Sequence, residues 1–269
     1  MTITRQDGYK IALLIDADNA PASKIEAILS ELSTIGMTHV RRAYGNWTKD
    51  GLKGWENKLH EHAIRPIQQF DLIKGKNATD IAMTVDALEL LYIDKPDAFA
   101  LVSSDCDFTP LVMHLRSKGA EVFGFGNQNT PKPFSNACSL FLYVEKLGED
   151  AEAEVESGAK PASHLRASAA ELKQNTALIL LLRNAIKADA GEDGWARVSE
   201  VGHQIRNQSS DHFRNYGYSS WTKLFKVIDL FELQNEGSNN VSVRDKRLNK
   251  PVKNASSGKE ASASNNGTA

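Results

Sequence analysis

Four aspartates follow two short apolar runs. Ile11-Ala12-Leu13-Leu14-Ile15 delivers Asp16 and Asp18, and Ala98-Phe99-Ala100-Leu101-Val102 leads through Ser103 and Ser104 to Asp105 and Asp107. Runs of this length predict buried strands. If the two strands are parallel neighbours, their acids crowd one sheet edge and repel one another unless water, protons or a cation neutralise them. No Cys/His set accompanies them, so hard oxygen ligands of this kind suit Mg²⁺ or Mn²⁺ rather than zinc. Carboxylate-held ions activate water and steady the leaving oxygen of a phosphodiester, so a metal-dependent phosphoryl-group reaction is the chemistry this edge would serve.

Other residues fall at the same edge. Asp80 opens a helix, where the positive end of the helix dipole alone would suit a carboxylate. Lys74 and Lys76 lie in a Gly-containing loop just before it, placed to meet phosphate oxygens, and Arg41 and Arg42 lie on a strand leading to that edge. Trp47, in the loop after that strand, is a candidate for stacking on an unpaired base or for anchoring the loop. Asn19 can contact substrate or water, or simply serve a turn, and Ser103 and Ser104 are placed to orient the acids. Asp107 ahead of Phe108-Thr109-Pro110 is also a good helix cap. Capping needs one acid, not two acids plus a third from another strand.

The elements that would hold these residues alternate from Lys10 to Leu147, which predicts a parallel sheet covered by helices. Strands are expected at 11–15, 39–44, 64–69, at the run ending before Asp105, at 121–125 and at 141–144. The helix after Asp80 is expected to place Ile81, Val85, Leu88 and Tyr92 on one face. Ligands of such sheets lie beyond the carboxyl ends of the strands, which is where the acids fall. Residues 148–163 are acidic and rich in small residues, as a solvated linker is. Beyond them, helices at 171–187, 198–206 and 221–230, then a hairpin at 231–243, describe a winged helix-turn-helix. Residues 248–269 read as a disordered tail.

With 269 residues the chain has room for a sizeable domain plus a smaller one. The formal net charge of −2 hides an asymmetry: residues 160–250 hold 14 Lys/Arg against 10 Asp/Glu, whereas residues 1–147 hold 16 against 18. The C-terminal part is therefore the better partner for a polyanion. Its candidate basic face comprises Arg206, Arg214, Lys223 and Lys226, with Arg244, Lys246 and Arg247 after the wing. Trp221, Leu224 and Phe225 read as core, and Ser219 or Ser220 as the cap of the third helix. Cys106 and Cys138 are too few for a disulfide framework and lack zinc-knuckle spacing. The polar start and the absence of a long apolar run predict a cytoplasmic protein without a membrane span.

Three blocks together resemble the NYN domain family, related to PIN-domain ribonucleases: Leu14-Ile15-Asp16-Ala17-Asp18-Asn19, Lys76-Asn77-Ala78-Thr79-Asp80-Ile81-Ala82-Met83 and Ser103-Ser104-Asp105-Cys106-Asp107-Phe108. The resemblance covers nearly everything from Lys10 to Leu147. It implies an α/β, Rossmann-like sheet and a Mg²⁺- or Mn²⁺-dependent site that cleaves RNA, with Asp16, Asp80, Asp105 and Asp107 as metal-binding acids and Asn19 beside them. The segment from Arg214 to Phe225, around Tyr216-Gly217-Tyr218, resembles the OST-HTH or LOTUS domain, a winged-helix fold associated with RNA binding. The expected organisation is a nuclease domain at 1–147 and an RNA-binding domain at 164–247.

Two other readings compete with a ribonuclease. An RNA-binding regulator would keep the acids without turnover. A haloacid dehalogenase-type phosphatase would use Asp16-Ala17-Asp18 as nucleophile and acid, but Asn19-Ala20-Pro21 departs from that family's pattern.

Overall fold

A computed structural model describes residues 8–70, 77–148, 166–238 and 240–249. In chain order the first part forms β1 (Tyr9–Asp16), α1 (Ile25–Ile35), β2 (Gly36–Gly45), α2 (Glu56–Glu61), β3 (Arg65–Gln68) and α3 (Ala78–Ile93). It continues with β4 (Ala98–Val102), α4 (Thr109–Ser117), β5 (Glu121–Gly126), α5 (Lys132–Ala137) and β6 (Leu140–Tyr143). The strands pair in the order β3-β2-β1-β4-β5-β6, every pairing parallel. The chain winds outward from β1 to β3, then returns to the other side of β1. The topological switch point therefore lies between β1 and β4, where ligands of such sheets bind.

Register puts the acids together there. Ile15 lies beside Val102, so the chains leaving β1 and β4 emerge at one edge as Asp16 and Ser103. Both sheet faces are covered: Ile11, Leu13 and Ile15 pack into one core, Ala12 and Leu14 into the other. That alternation is why the run lacks polar residues.

Two expectations change in the structure. β2 starts at Gly36, three residues ahead of the expected His39, because the chain there crosses the Tyr9 backbone so closely that a Cβ at Gly36 would sit 2.1 Å from the Tyr9 carbonyl oxygen. The helix carrying Asp80 buries Thr79, Met83, Ala87, Leu90 and Leu91. Ile81, Val85 and Tyr92 are exposed by 64%, 58% and 56%. Apolar residues occur on two sides of α3, and periodicity alone does not say which side meets the sheet.

The second part contains α6 (Ala169–Gln174), α7 (Thr176–Asp189), β7 (Ala196–Arg197), α8 (Val198–Gln208), α9 (Trp221–Ile228), β8 (Phe231–Gln234) and β9 (Ser242–Asp245). The expected first helix is two: Asn175 ends α6 and its Oδ1 accepts the Leu178 amide at 3.0 Å to start α7. The strands form an antiparallel sheet in the order β7-β9-β8. With the helices they enclose Leu182, Val201, Ile205, Leu224, Phe225 and Val243, a winged helix-turn-helix arrangement. Ser220 is the residue that caps α9, accepting from the Lys223 amide at 3.2 Å.

The two parts meet along β6, the last strand of the sheet. The Phe141 amide donates to the Ser210 carbonyl at 2.9 Å. The Asn215 carboxamide then donates to the Phe141 carbonyl at 2.8 Å and accepts the Tyr143 amide at 3.1 Å. A side chain thus takes the place of a neighbouring strand and covers an edge that would otherwise remain open. Arg214 adds an ion pair to Glu31 of α1 at 3.3 Å. The expected linker and tail lie almost wholly outside the described residues. Among the described residues, no helix is long and apolar enough to cross a membrane.

Candidate active site

Asp16 ends β1 fully buried. Its Oδ2 accepts from Asn19 Nδ2 and from Ser103 Oγ, each at 2.8 Å. Its Oδ1 is buried without a hydrogen-bond partner. Burial pushes its carboxyl above the ordinary range, against the two hydrogen bonds and with help from Asp18 and Asp105. A buried carboxylate oxygen left unpaired is destabilising unless a further group completes it.

Asp80 stands in the first turn of α3. Its pKa is pushed up to about 6, first by burial and then by the charges of Asp16, Asp105, Asp107 and Asp18. That dependence puts four carboxylates within electrostatic reach of Asp80. The helix dipole, which favours ionisation, is outweighed. Asp105 Oδ1 accepts the Asp107 amide at 2.9 Å, and the Asp105 amide donates to Ser103 Oγ at 3.1 Å. Asp105 is therefore a cap as well as a member of the cluster. Carboxylate oxygens of Asp105 and Asp107 lie with Cys106 Sγ inside a 4.8 Å group.

Asp18 stands apart in its pairing. Lys49 Nζ lies 3.0 Å from it, and Thr79 Oγ1 donates to it at 3.1 Å. Asp107 accepts from Asn77 Nδ2 at 2.9 Å. Lys49, Asn77 and Thr79 were not legible as site residues, although Asn77 and Thr79 flank Asp80 closely. Oxygen donors, an orphaned buried oxygen and mutual repulsion at Asp80 together fit a hard divalent cation. The other carboxylate grouping, Glu26, Glu61 and His62, already holds the Lys58 ammonium between Glu26 and Glu61.

The expected RNA contacts are placed more variously. Lys74 and Lys76 lie outside the described residues. Arg41 sits beside Leu13 in mid-strand and donates to the His62 carbonyl at 2.9 Å, because its guanidinium reaches α2 rather than the acid edge. Arg42 pairs with Asp86 at 2.8 Å, where Tyr44 also donates at 2.6 Å. Trp47 is a loop anchor: its indole donates to the Ile67 carbonyl at 3.1 Å and packs on the core. Arg206 lines a cavity of about 260 Å³ with His203, His212 and Trp221. Arg214 faces α1, as described above. Lys226 pairs with Glu236 at 2.7 Å, while Lys223 lies half-buried in the first turn of α9. Beyond the wing, Arg244 pairs with Glu232, Lys246 with Asp229 and Arg247 with Asp245. Cys138 is buried, with its thiol pushed up to about 12 by burial.

Comparison with known proteins agrees with this architecture. Residues 10–145 match the NYN domain model, and residues 173–243 match the OST-HTH/LOTUS domain model. An uncharacterized protein of Methanocaldococcus jannaschii is 30% identical over 151 residues, covering 54% of this chain and 58% of the relative. The chain thus matches just over half the length of that relative. A solved protein of unknown function from Vibrio parahaemolyticus aligns with a TM-score of 0.44 and 18% identity, over 52% of this chain and 96% of that one. The six-stranded parallel sheet, the switch-point acids and the two matched models place a domain of the PIN-like nuclease group ahead of one from an RNA-binding group. The chain belongs to the NYN domain family.

Proposed function

We propose that the protein is a Mg²⁺- or Mn²⁺-dependent ribonuclease that hydrolyses RNA phosphodiester bonds, with its C-terminal module holding the RNA. The observation that supports this most is the charge that Asp16, Asp105, Asp107 and Asp18 exert on Asp80, beside an Asp16 Oδ1 that is buried without a hydrogen-bond partner. Asp16, Asp80, Asp105 and Asp107 would hold the cation, which when bound supplies a Lewis acid and an activated water. Asn19 and Ser103 fix the rotamer of Asp16 by donating to its Oδ2. Asn77 does the same for Asp107. On this reading Lys74 and Lys76 meet the phosphate, and Arg206 and Lys223 meet the RNA backbone.

Full-length protein is expected to cleave single-stranded RNA with Mn²⁺ or Mg²⁺ and to stop with a chelator, while Asp105→Asn leaves the RNA intact. Equal cleavage by both proteins contradicts the assignment. Tight RNA binding without products under either metal would instead favour a non-catalytic regulator.

A further inference from the structure

A cavity of about 250 Å³ opens directly beside the acids, on the β5 side of the switch point. Val102, Phe125 and Val144 give it an apolar floor, and Ser23, Ser104 and Glu145 part of a polar rim. Asn19 and Ser103 also line it while donating to Asp16, so its occupant lies next to the reacting phosphate of any RNA bound at the acids. The volume falls below the roughly 300 Å³ at which pockets for larger ligands begin, which suits one base.

The rim chemistry excludes a second phosphate. Lys24, the cation lining the cavity, has its ammonium on the Leu147 carbonyl at 3.2 Å. Glu145 instead supplies an acceptor: its Oε1 takes the Gln128 amide at 3.2 Å in an exposed hydrogen bond, and this oxygen has a second lone pair for an N–H. The apolar floor receives a ring face, as base recognition in single strands requires.

We infer that this cavity is a nucleobase subsite for the nucleotide next to the scissile phosphate, with Glu145 accepting an N–H from the base. The inference rests on the ribonuclease reading only for the word scissile. Guanine, adenine and cytosine carry amino groups that suit a carboxylate. Uracil offers one N–H flanked by two carbonyls, which a carboxylate repels. The subsite therefore disfavours uracil.

Two measurements on the full chain test this. Sequencing the ends produced from random-sequence RNA with Mn²⁺ is expected to find uracil depleted about tenfold or more at one position beside the cut, the size of one charged hydrogen bond. Glu145→Gln, whose amide both donates and accepts, should reduce that depletion to below about twofold. Separately, saturation-transfer NMR with the chelator-treated protein should detect AMP, GMP and CMP more strongly than UMP. Ser23→Trp, which places an indole over an exposed rim position, should abolish those signals at an unchanged melting temperature; if that variant does not fold, Glu145→Gln serves by raising the UMP signal to the level of the other three. Uniform cleavage at all four bases, or depletion unchanged in Glu145→Gln, overturns the subsite, as does absence of nucleotide binding. Nucleotide binding that Ser23→Trp abolishes, or whose base preference Glu145→Gln removes, without any RNA cleavage, overturns the ribonuclease reading and upholds the subsite.

Discussion

Asp16 and Asn215 mark two regions of one sheet in which polar groups meet opposite fates. At the β6 edge, the Asn215 carboxamide satisfies a backbone amide and a backbone carbonyl, and Asp211 receives both that carboxamide and the Tyr216 hydroxyl at 2.6 Å. At the switch point, Asp16 keeps an unpaired buried oxygen, and burial together with the charge of its neighbours pushes the Asp80 carboxyl up to about 6. The first arrangement stabilises the joined domains. The second is destabilising by itself. Polar groups that the protein completes internally hold structure, and those it leaves incomplete await something from outside.

That contrast can be broken from either end. The largest effect belongs to Asp105→Asn: metal-dependent RNA cleavage should fall by about a hundredfold or more, while the metal-free protein melts no lower than wild type because a repelling charge has gone. A coincident fall in melting temperature would mean that the acid is structural. Ser103→Ala comes next. Loss of its hydrogen bond to Asp16 should weaken Mn²⁺ affinity about 10- to 100-fold, read by calorimetric titration.

The junction responds to acid instead. Burial, with Arg206 and Arg214 nearby, lowers the His212 pKa from 6.5 to about 3. Between those values the unfolded chain holds the extra proton. Stability is therefore intact above about pH 6.5 and declines as pH falls toward 3, by at most about 1.4 kcal/mol per pH unit. His212→Asn should flatten this portion of a urea-denaturation series taken against pH, and an unchanged slope would remove His212 from the account. The smallest effect is expected for Asn215→Ala. It leaves two edge groups of β6 to water and should lower unfolding stability by about 1–3 kcal/mol, with faster proteolysis between the domains and little change in metal affinity.

Much of the acid edge was legible because strand ends are marked by composition. Ile11 to Ile15 and Ala98 to Val102 have no polar residue between them, and the acids follow within a few residues, so parallel pairing alone brings them together. The partners of long side chains were not legible. Arg41, Arg42 and Arg214 each found a local acceptor set by tertiary packing, and nothing near them in sequence announces His62, Asp86 or Glu31. Trp47 anchors its loop for the same reason. The choice of face on α3 was lost because Ile81, Val85 and Tyr92 imitate a buried stripe while Met83, Ala87 and Leu90 form the true one. The edge-pairing role of Asn215 was not legible because a side chain acting as a strand leaves no periodic trace.

The most direct measurement is thermal unfolding of the full chain with and without Mn²⁺, for wild type and for Asp80→Asn. A cation that completes the acid edge binds only the folded state, so at about a hundred times its dissociation constant it should add about 2.7 kcal/mol and raise the wild-type melting temperature. Asp80→Asn should melt at or above wild type without metal and gain much less when Mn²⁺ is added. Equal gains in both proteins, or none in wild type, would contradict the claim that these acids are left incomplete for a metal.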